Sequence, residues 1–256
     1  MLSYNFTEQL GRKTIVTGHY GSGKTEFTVS LSLLLASQQG MCQENRPPDT
    51  GMCQENRPSD TFDSMAVIDL DVINPYFRSR EQRELLGKAG ITIYGSAFDT
   101  EVTAELPALS ANLRAPLENK SCRVFIDTGG NDAGAIVLNQ FTKYFTDDDT
   151  TALAVINANR PDTNSVESAI EHISAIEHIT NLKISAVVNN THMLRETTVA
   201  DIIEGHEFCK MICEITGKYL FCDCYPEGVV NPDELKGVSK NLMPLGLHMR
   251  PTWLDK

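Results

Sequence analysis

The residues Gly18-His19-Tyr20-Gly21-Ser22-Gly23-Lys24-Thr25 have the types and spacing needed to hold a chain of phosphates. They match the Walker A pattern G-x-x-x-x-G-K-[ST]. Phosphate oxygens need several backbone N–H donors converging on one point, and side chains would obstruct that approach. Gly18, Gly21 and Gly23 let the backbone curl into such a nest. A helix beginning near Lys24 adds its unpaired N–H groups and the positive end of its dipole. Lys24 then reaches the β- and γ-phosphates, and the Thr25 hydroxyl ligates Mg²⁺. The stretch expected to face the nucleotide runs from Gly18 through His19, Tyr20, Gly21, Ser22, Gly23, Lys24 and Thr25 to Glu26.

Two further clusters supply carboxylates. Asp127 follows the apolar run Val124-Phe125-Ile126 in the manner of a Walker B aspartate, and Thr128-Gly129-Gly130 after it is flexible enough to sense a γ-phosphate. Asp69 and Asp71 close the apolar run Met65–Leu70, and in an extended strand they share one face. Thr25 and Asp127 are expected on the metal side, with either Asp69 or Asp71 able to hold an Mg²⁺ water and one of them to orient the attacking water; Lys24 and Asp127 are expected to be catalytic. Mg²⁺ on phosphates keeps several waters, which such carboxylates hold.

These groups need a scaffold that brings distant strand ends together. Lys13–Thr17 reads as a strand before the glycine-rich loop, and 26–36 as a mostly buried helix after it. Short apolar strands are also expected at 65–71, 91–94, 123–127, 152–156, 184–188 and 219–224. Helices are expected at 79–88, 104–117, 163–178, 197–216 and 233–240. Such alternation predicts a three-layer α/β fold, a mostly parallel sheet with helices on both faces. Ligands in such sheets sit at the carboxyl ends of the strands, where Gly18, Asp71, Asp127 and Asn189 fall. A chain of 256 residues suits a single domain spanning 1–256. Residues 40–50 and 51–61 are a tandem duplication that differs only at Pro48 and Ser59, and its Pro, Asn, Asp and Gln content predicts an inserted surface loop.

Taken together, these motifs resemble the deviant-Walker P-loop ATPases, the ParA/MinD/Mrp group of the SIMIBI superfamily. The resemblance runs from Lys13 to about Lys240, the duplicated loop excluded. It implies that Asp71 is tied to hydrolysis, that Asp127-Thr128-Gly129-Gly130 acts as switch II, that Asn189 contacts adenine, and that Tyr225-Pro226-Glu227 covers the base through Pro226. Asn189-Asn190-Thr191-His192 is not the N-K-x-D motif of guanine-specific relatives, so ATP is favoured over GTP. The chain departs from the family at His19, where a signature lysine reaches across an ATP-bound dimer. His19 carries no permanent charge at neutral pH. The expectation is a slow Mg-dependent ATPase acting as a nucleotide-dependent switch or assembly factor for a protein partner, with homodimerisation in question.

Composition narrows the partners. The formal charge is −12, from 34 acidic and 22 basic side chains, so nucleic acid and anionic membrane are poor partners. Met1–Glu8 lack the character of a signal peptide, and no apolar run approaches the ~20 residues that span a bilayer. A cytoplasmic location is the expectation. Pro244 and Pro251 forbid a continuous C-terminal amphipathic helix. Seven cysteines are then expected as reduced thiols, metal ligands or core residues. Cys209 and Cys213, at helical spacing with His206, and Cys222 and Cys224 on one strand face define an alternative, a Zn²⁺ or iron–sulfur chaperone. A small-molecule kinase or ATP-dependent ligase is the other alternative.

Overall fold

The computed structural model describes residues 6–40, 62–71, 82–95, 113–130, 132–146 and 148–249. The duplicated loop beyond Gly40, the turn 74–78, the starts of the helices expected at 79–88 and 104–117, and 250–256 lie outside the described residues.

Eight strands form one sheet in which every pairing is parallel. They are β1 (Lys13–Thr17), β2 (Ser64–Asp69), β3 (Ile91–Gly95), β4 (Cys122–Asp127), β5 (Thr150–Ile156), β6 (Ala186–Asn189), β7 (Tyr219–Pro226) and β8 (Leu242–Leu245). Their spatial order is β3-β2-β4-β1-β5-β6-β7-β8. β1 therefore lies between β4 and β5, where the direction of strand addition reverses. In open parallel sheets that reversal opens a crevice at the carboxyl ends of the strands.

The helices are α1 (Lys24–Gln38), α2 (Arg83–Lys88), α3 (described over 113–118), α4 (Asp132–Asn139), α5 (Val166–Thr180) and α6 (Val199–Thr216). Burial on both sheet faces explains the near-continuous apolar strands. Val16, Val67, Phe125 and Val155 pack with Phe27, Leu31 and Leu35 of α1 and Leu86 of α2. Ile15, Ile68, Ile126 and Ile156, one residue out of phase, pack with Leu113, Leu138, Ile173 and Ile212 of α3 to α6. The three-layer α/β architecture read from the sequence is the architecture found.

Local signals set the helix starts. Ser165 and Thr198 close capping boxes with Ser168 and Asp201, so the two helices begin at Val166 and Val199, a few residues later than apolar periodicity placed them. Gly217 in the left-handed region (φ 70°) ends α6. Two elements escaped the sequence reading. α4 is one, and β8 is the other, a strand that contains Pro244. Proline is tolerated there because β8 is the last strand of the sheet, with one side unpaired. The helix expected at 233–240 is only a 3₁₀ turn at Pro232–Leu235.

The segment after β8 folds back onto α1. Glu26 accepts the backbone N–H groups of His248 (2.9 Å) and Met249 (2.7 Å), and Ser30 accepts that of Gly246 (3.2 Å). Glu26 is buried and its carboxylate is committed to this strap, which leaves its first-turn backbone N–H as the group that can face the nucleotide. Glu26→Ala would leave two sheltered donors without acceptors, at about 2 kcal/mol. A fall of about 4–8 °C in melting temperature, followed by circular dichroism, is the expected result.

Candidate functional site

The loop between β1 and α1 has the shape its sequence promised. Gly18, Gly21 and Gly23 hold φ values of 144°, 74° and 84°, and the Phe27 N–H closes the first turn of α1 on the Gly23 carbonyl (2.9 Å). Gly23 is required for a second reason, since a Cβ there would collide with the Asn190 side chain. Lys24, at the first turn of α1, is buried and donates to the His19 carbonyl across the loop (2.9 Å). Burial lowers its pKa, and the charges of Asp127 and Asp71 partly restore it.

The carboxylates converge on the same point. Thr25 Oγ1 donates to Asp127 Oδ2 (2.6 Å), while Asp127 Oδ1 is buried and has no hydrogen-bond partner. Burial, then the charge of Asp69 alongside it in the sheet register, pushes the Asp127 pKa up to about 8. β2 ends at Asp69, two residues earlier than the apolar run suggested, so Asp69 and Asp71 do not share a strand face. Instead Asp69 Oδ1 accepts the Asp71 N–H (3.0 Å), a turn that lifts Asp71 out of the sheet. Asp71 Oδ1 then lies 3.4 Å from where a Cβ on Gly129 would stand. Gly130 packs closer still. A Cβ there would sit 2.6 Å from Lys24 Nζ, 2.6 Å from the Gly18 carbonyl and 2.7 Å from the Tyr20 nitrogen. Gly130 thus rests directly on the loop and its lysine, while Gly129 lies against Asp71 and Gly134.

The Asn189 side chain is fully buried and committed to Asp223 Oδ1 (2.7 Å), the Ile202 carbonyl (3.1 Å) and the Thr191 N–H (3.1 Å). Its neighbour Asn190 is the residue that meets the loop, donating to the Ser22 carbonyl (2.6 Å). Strand alternation explains the exchange: the last residue of β6 points into the α6 layer, where His206 also bonds Asp223 (2.9 Å), and the next turns toward β1. Pro226 ends β7, pairs with Leu245 of β8, and its carbonyl accepts from Val229 and Val230 (both 3.2 Å). It stands at the carboxyl end of a strand three places from β1. Tyr20 projects into solvent, 62% exposed. His19 turns outward, 3.5 Å from Asp162 and edge-on to His172 of α5 with ring centres 5.1 Å apart.

Sequence reasoning missed the wall beside Gly21 and Gly23. His192 is buried near Gly23, its Nδ1 accepts the Leu194 N–H (3.1 Å), and its Nε2 has no partner. Burial, then the charge of Arg160, lowers its pKa to about 4, so it is a neutral ring. Arg160, in the loop after β5, lies against Gly21. The strand-end rule applied to β1, β2, β4 and β6 would have found this loop had it been applied to β5 as well.

The cysteines are neighbours in the core without forming a metal site among the described residues. Cys209 and Cys213 belong to the apolar cluster under α5 and α6, and Cys222 and Cys224 to the one under α1 and β8. Burial raises the thiol pKa of Cys209, Cys213 and Cys222, disfavouring thiolates. Among the described residues no group of three or more His, Cys, Asp or Glu is placed to hold a metal ion. The four-cysteine zinc or iron–sulfur centre is therefore corrected to core packing.

No protein-family model matches the chain, and no curated protein sequence matches it. Among solved structures it is similar to the signal recognition particle 54 kDa protein of Aeropyrum pernix in complex with GDP (16% identity, TM-score 0.48, covering 82% of this chain and 40% of that one). It is similar also to FtsY of Mycoplasma mycoides (14% identity, TM-score 0.47, covering 86% and 61%). A third is a nucleotide-binding protein of Archaeoglobus fulgidus in complex with ADP (13% identity, TM-score 0.45, covering 100% and 97%). The chain thus spans about half the length of the first two. The class rests on the site itself: a strand, a glycine nest and a buried lysine opening a helix, at the reversal point of a parallel sheet, make a nucleotide-binding P-loop domain.

Proposed function

We propose that this P-loop domain binds ATP with Mg²⁺, hydrolyses it slowly, and uses the bound state to change its affinity for a protein partner. The observation that carries this reading is the convergence of Lys24, the Thr25–Asp127 hydrogen bond and the Gly129–Gly130 backbone on one point. The donor set suits a hard divalent ion. Thr25 Oγ1 and Asp127 are oxygen donors, and Asp127 Oδ1 is buried without a partner. Mg²⁺ bound there would neutralise phosphate charge. Lys24 and the loop N–H groups hold the phosphates in line, and Asp71 orients the attacking water.

Gly130 supplies the switch. Its backbone touches Lys24 and the loop, so a phosphate entering beside Lys24 meets it directly and displaces or orders the segment leading into α4. ATP is preferred to GTP because His192, a neutral ring, stands at the fourth place of Asn189–His192, where guanine readers carry a carboxylate. The resemblance to ParA, MinD and Mrp proteins supports a partner-switching role. The acidic surface supports a protein partner rather than nucleic acid. Among the described residues no helix is long and apolar enough to cross a membrane.

Light scattering with ADP and with a non-hydrolysable ATP analogue, paired with phosphate release by the protein alone, tests the proposal. Slow release without any acceptor is expected, at well below the ~10 s⁻¹ typical of metabolic enzymes. A mass that doubles only with the analogue would make the partner a second copy. Release that begins only when a small-molecule acceptor is added would replace the switch with a kinase or ligase.

A further inference from the structure

We infer that Arg160 is a phosphate-chain contact of the bound nucleotide, supplied from within the same chain by the loop after β5. This rests on the nucleotide-binding reading above. Arg160 Nε, Cζ and Cδ lie 3.4, 3.5 and 3.7 Å from the point where a Cβ on Gly21 would stand, so the guanidinium lies along the flank of the phosphate loop. With φ of 74° at Gly21, any larger residue there would be strained.

The loop that carries Arg160 is tightly specified. The Asn157 carbonyl accepts the Arg160 N–H (3.1 Å) and the Thr163 hydroxyl (3.0 Å), and the Arg160 carbonyl accepts the Thr163 N–H (3.0 Å). Asn157 Oδ1 accepts the Asn159 N–H (3.0 Å), and Pro161 fixes the chain immediately after Arg160. The loop is tied in turn to the strand end beside it, through Asn157 Nδ2 on the His192 carbonyl (3.3 Å) and the Ala158 N–H on Thr191 Oγ1 (3.1 Å). The backbone of Arg160 is therefore held while its head group is exposed. That head group makes no hydrogen bond and no ion pair with any described residue.

An unpaired guanidinium is unexpected on a protein of net charge −12, where carboxylates outnumber cations. Its field reaches into the site wall, where it lowers the pKa of His192. The carboxylates of Asp71 and Asp127 stand on the Gly130 side of the loop, and Arg160 stands on the Gly21 side. A phosphate chain in the nest is thus flanked by Lys24 from α1 and by Arg160 from the β5 loop. His19, engaged by Asp162 and His172, does not supply that second charge. Guanidinium suits the task, since its fork of donors matches phosphate oxygens and it stays charged at every working pH.

Calorimetry with Mg-ATP and with ADP on wild type, Arg160→Ala and Arg160→Lys, at low and high KCl, tests the assignment. Arg160→Ala is expected to weaken both nucleotides about 10–100-fold, the range for losing a charge-assisted contact. Arg160→Lys should recover part of that loss. The salt dependence of ATP affinity should be shallower in Arg160→Ala, because one fewer cation screens away. Its melting temperature should stay within about 2 °C of wild type, since an exposed side chain without partners contributes little to stability. Affinities within twofold of wild type, or a loss with unchanged salt dependence, would overturn the assignment while leaving nucleotide binding intact. A wild type that binds neither nucleotide would sink the nucleotide-binding reading itself.

Discussion

Lys24→Ala is expected to abolish measurable nucleotide binding, with an affinity loss of about 100-fold or more and turnover reduced beyond that. Lys24 is the buried cation of the loop, held by the His19 carbonyl and facing Asp127 and Asp71. On the proposed reading its ammonium would leave the His19 carbonyl to meet a phosphate, an exchange of a neutral acceptor for a charged one. Charge-assisted hydrogen bonds are worth roughly twice neutral ones, and Lys24 has three donors to offer. Removing one transition-state donor in a water-poor site costs ~10²–10³ in rate. The fold should survive, because burying a charge is itself unfavourable and methyl replacement relieves it. Circular dichroism should be unchanged, while calorimetry should show no saturable heat with Mg-ATP. A Lys24→Ala protein that binds ATP within threefold of wild type would remove the loop from the site.

Asp127→Asn should separate stability from activity in opposite directions. The wild-type carboxyl holds its proton up to about pH 8 in the folded protein, because burial and the neighbouring Asp69 disfavour its charge. In the unfolded chain it loses that proton near the ordinary 3.8. Between those values the folded state binds more protons than the unfolded state, so stability falls as pH rises. The contribution is fully present below about pH 4, declines through the window, and is gone above about pH 8. Asparagine is neutral throughout and still accepts the Thr25 hydroxyl, so it removes the slope. The melting temperature of wild type, without nucleotide or metal, should fall more steeply from pH 5 to pH 8.5 than that of Asp127→Asn. At pH 8.5 the variant should be the more stable by about 5 °C or more. Its Mg-dependent turnover should fall about 100-fold or more, since an amide is a poor ligand for a hard cation. Parallel pH profiles would mean that Asp127 is ionised in the folded protein at neutral pH.

The two variants probe opposite signs of one cluster. Burial disfavours the charge of Lys24 while the neighbouring carboxylates favour it, and Asp127 gives up its charge because burial and Asp69 outweigh the Thr25 bond and Lys24. Phosphates arriving beside Lys24 would favour its charge further, and a metal ion would restore that of Asp127. This makes proton uptake and release on binding a further property of the same constellation.

The sequence by itself determined the phosphate loop, the aspartate after the β4 run and the alternation of strands and helices. Each is a local pattern: glycine spacing sets a backbone nest, and unbroken apolar runs mark strands covered on both faces. It could not determine which neighbour of a strand end faces the ligand. Asn189 and Asn190 are equivalent in type, and only the phase at the end of β6 sends one into the α6 layer and the other onto Ser22. The same phase, set where β2 stops, lifts Asp71 out of the sheet by the Asp69 turn rather than leaving it on a shared face. Packing decided the cysteines, because four thiols close in sequence divide between two apolar clusters. Tertiary structure alone placed Arg160, whose loop is 139 positions from Gly21 and reaches it because β5 pairs directly with β1. Distance along the chain carries no such information, since which strands become neighbours is settled by how the whole sheet closes its two cores.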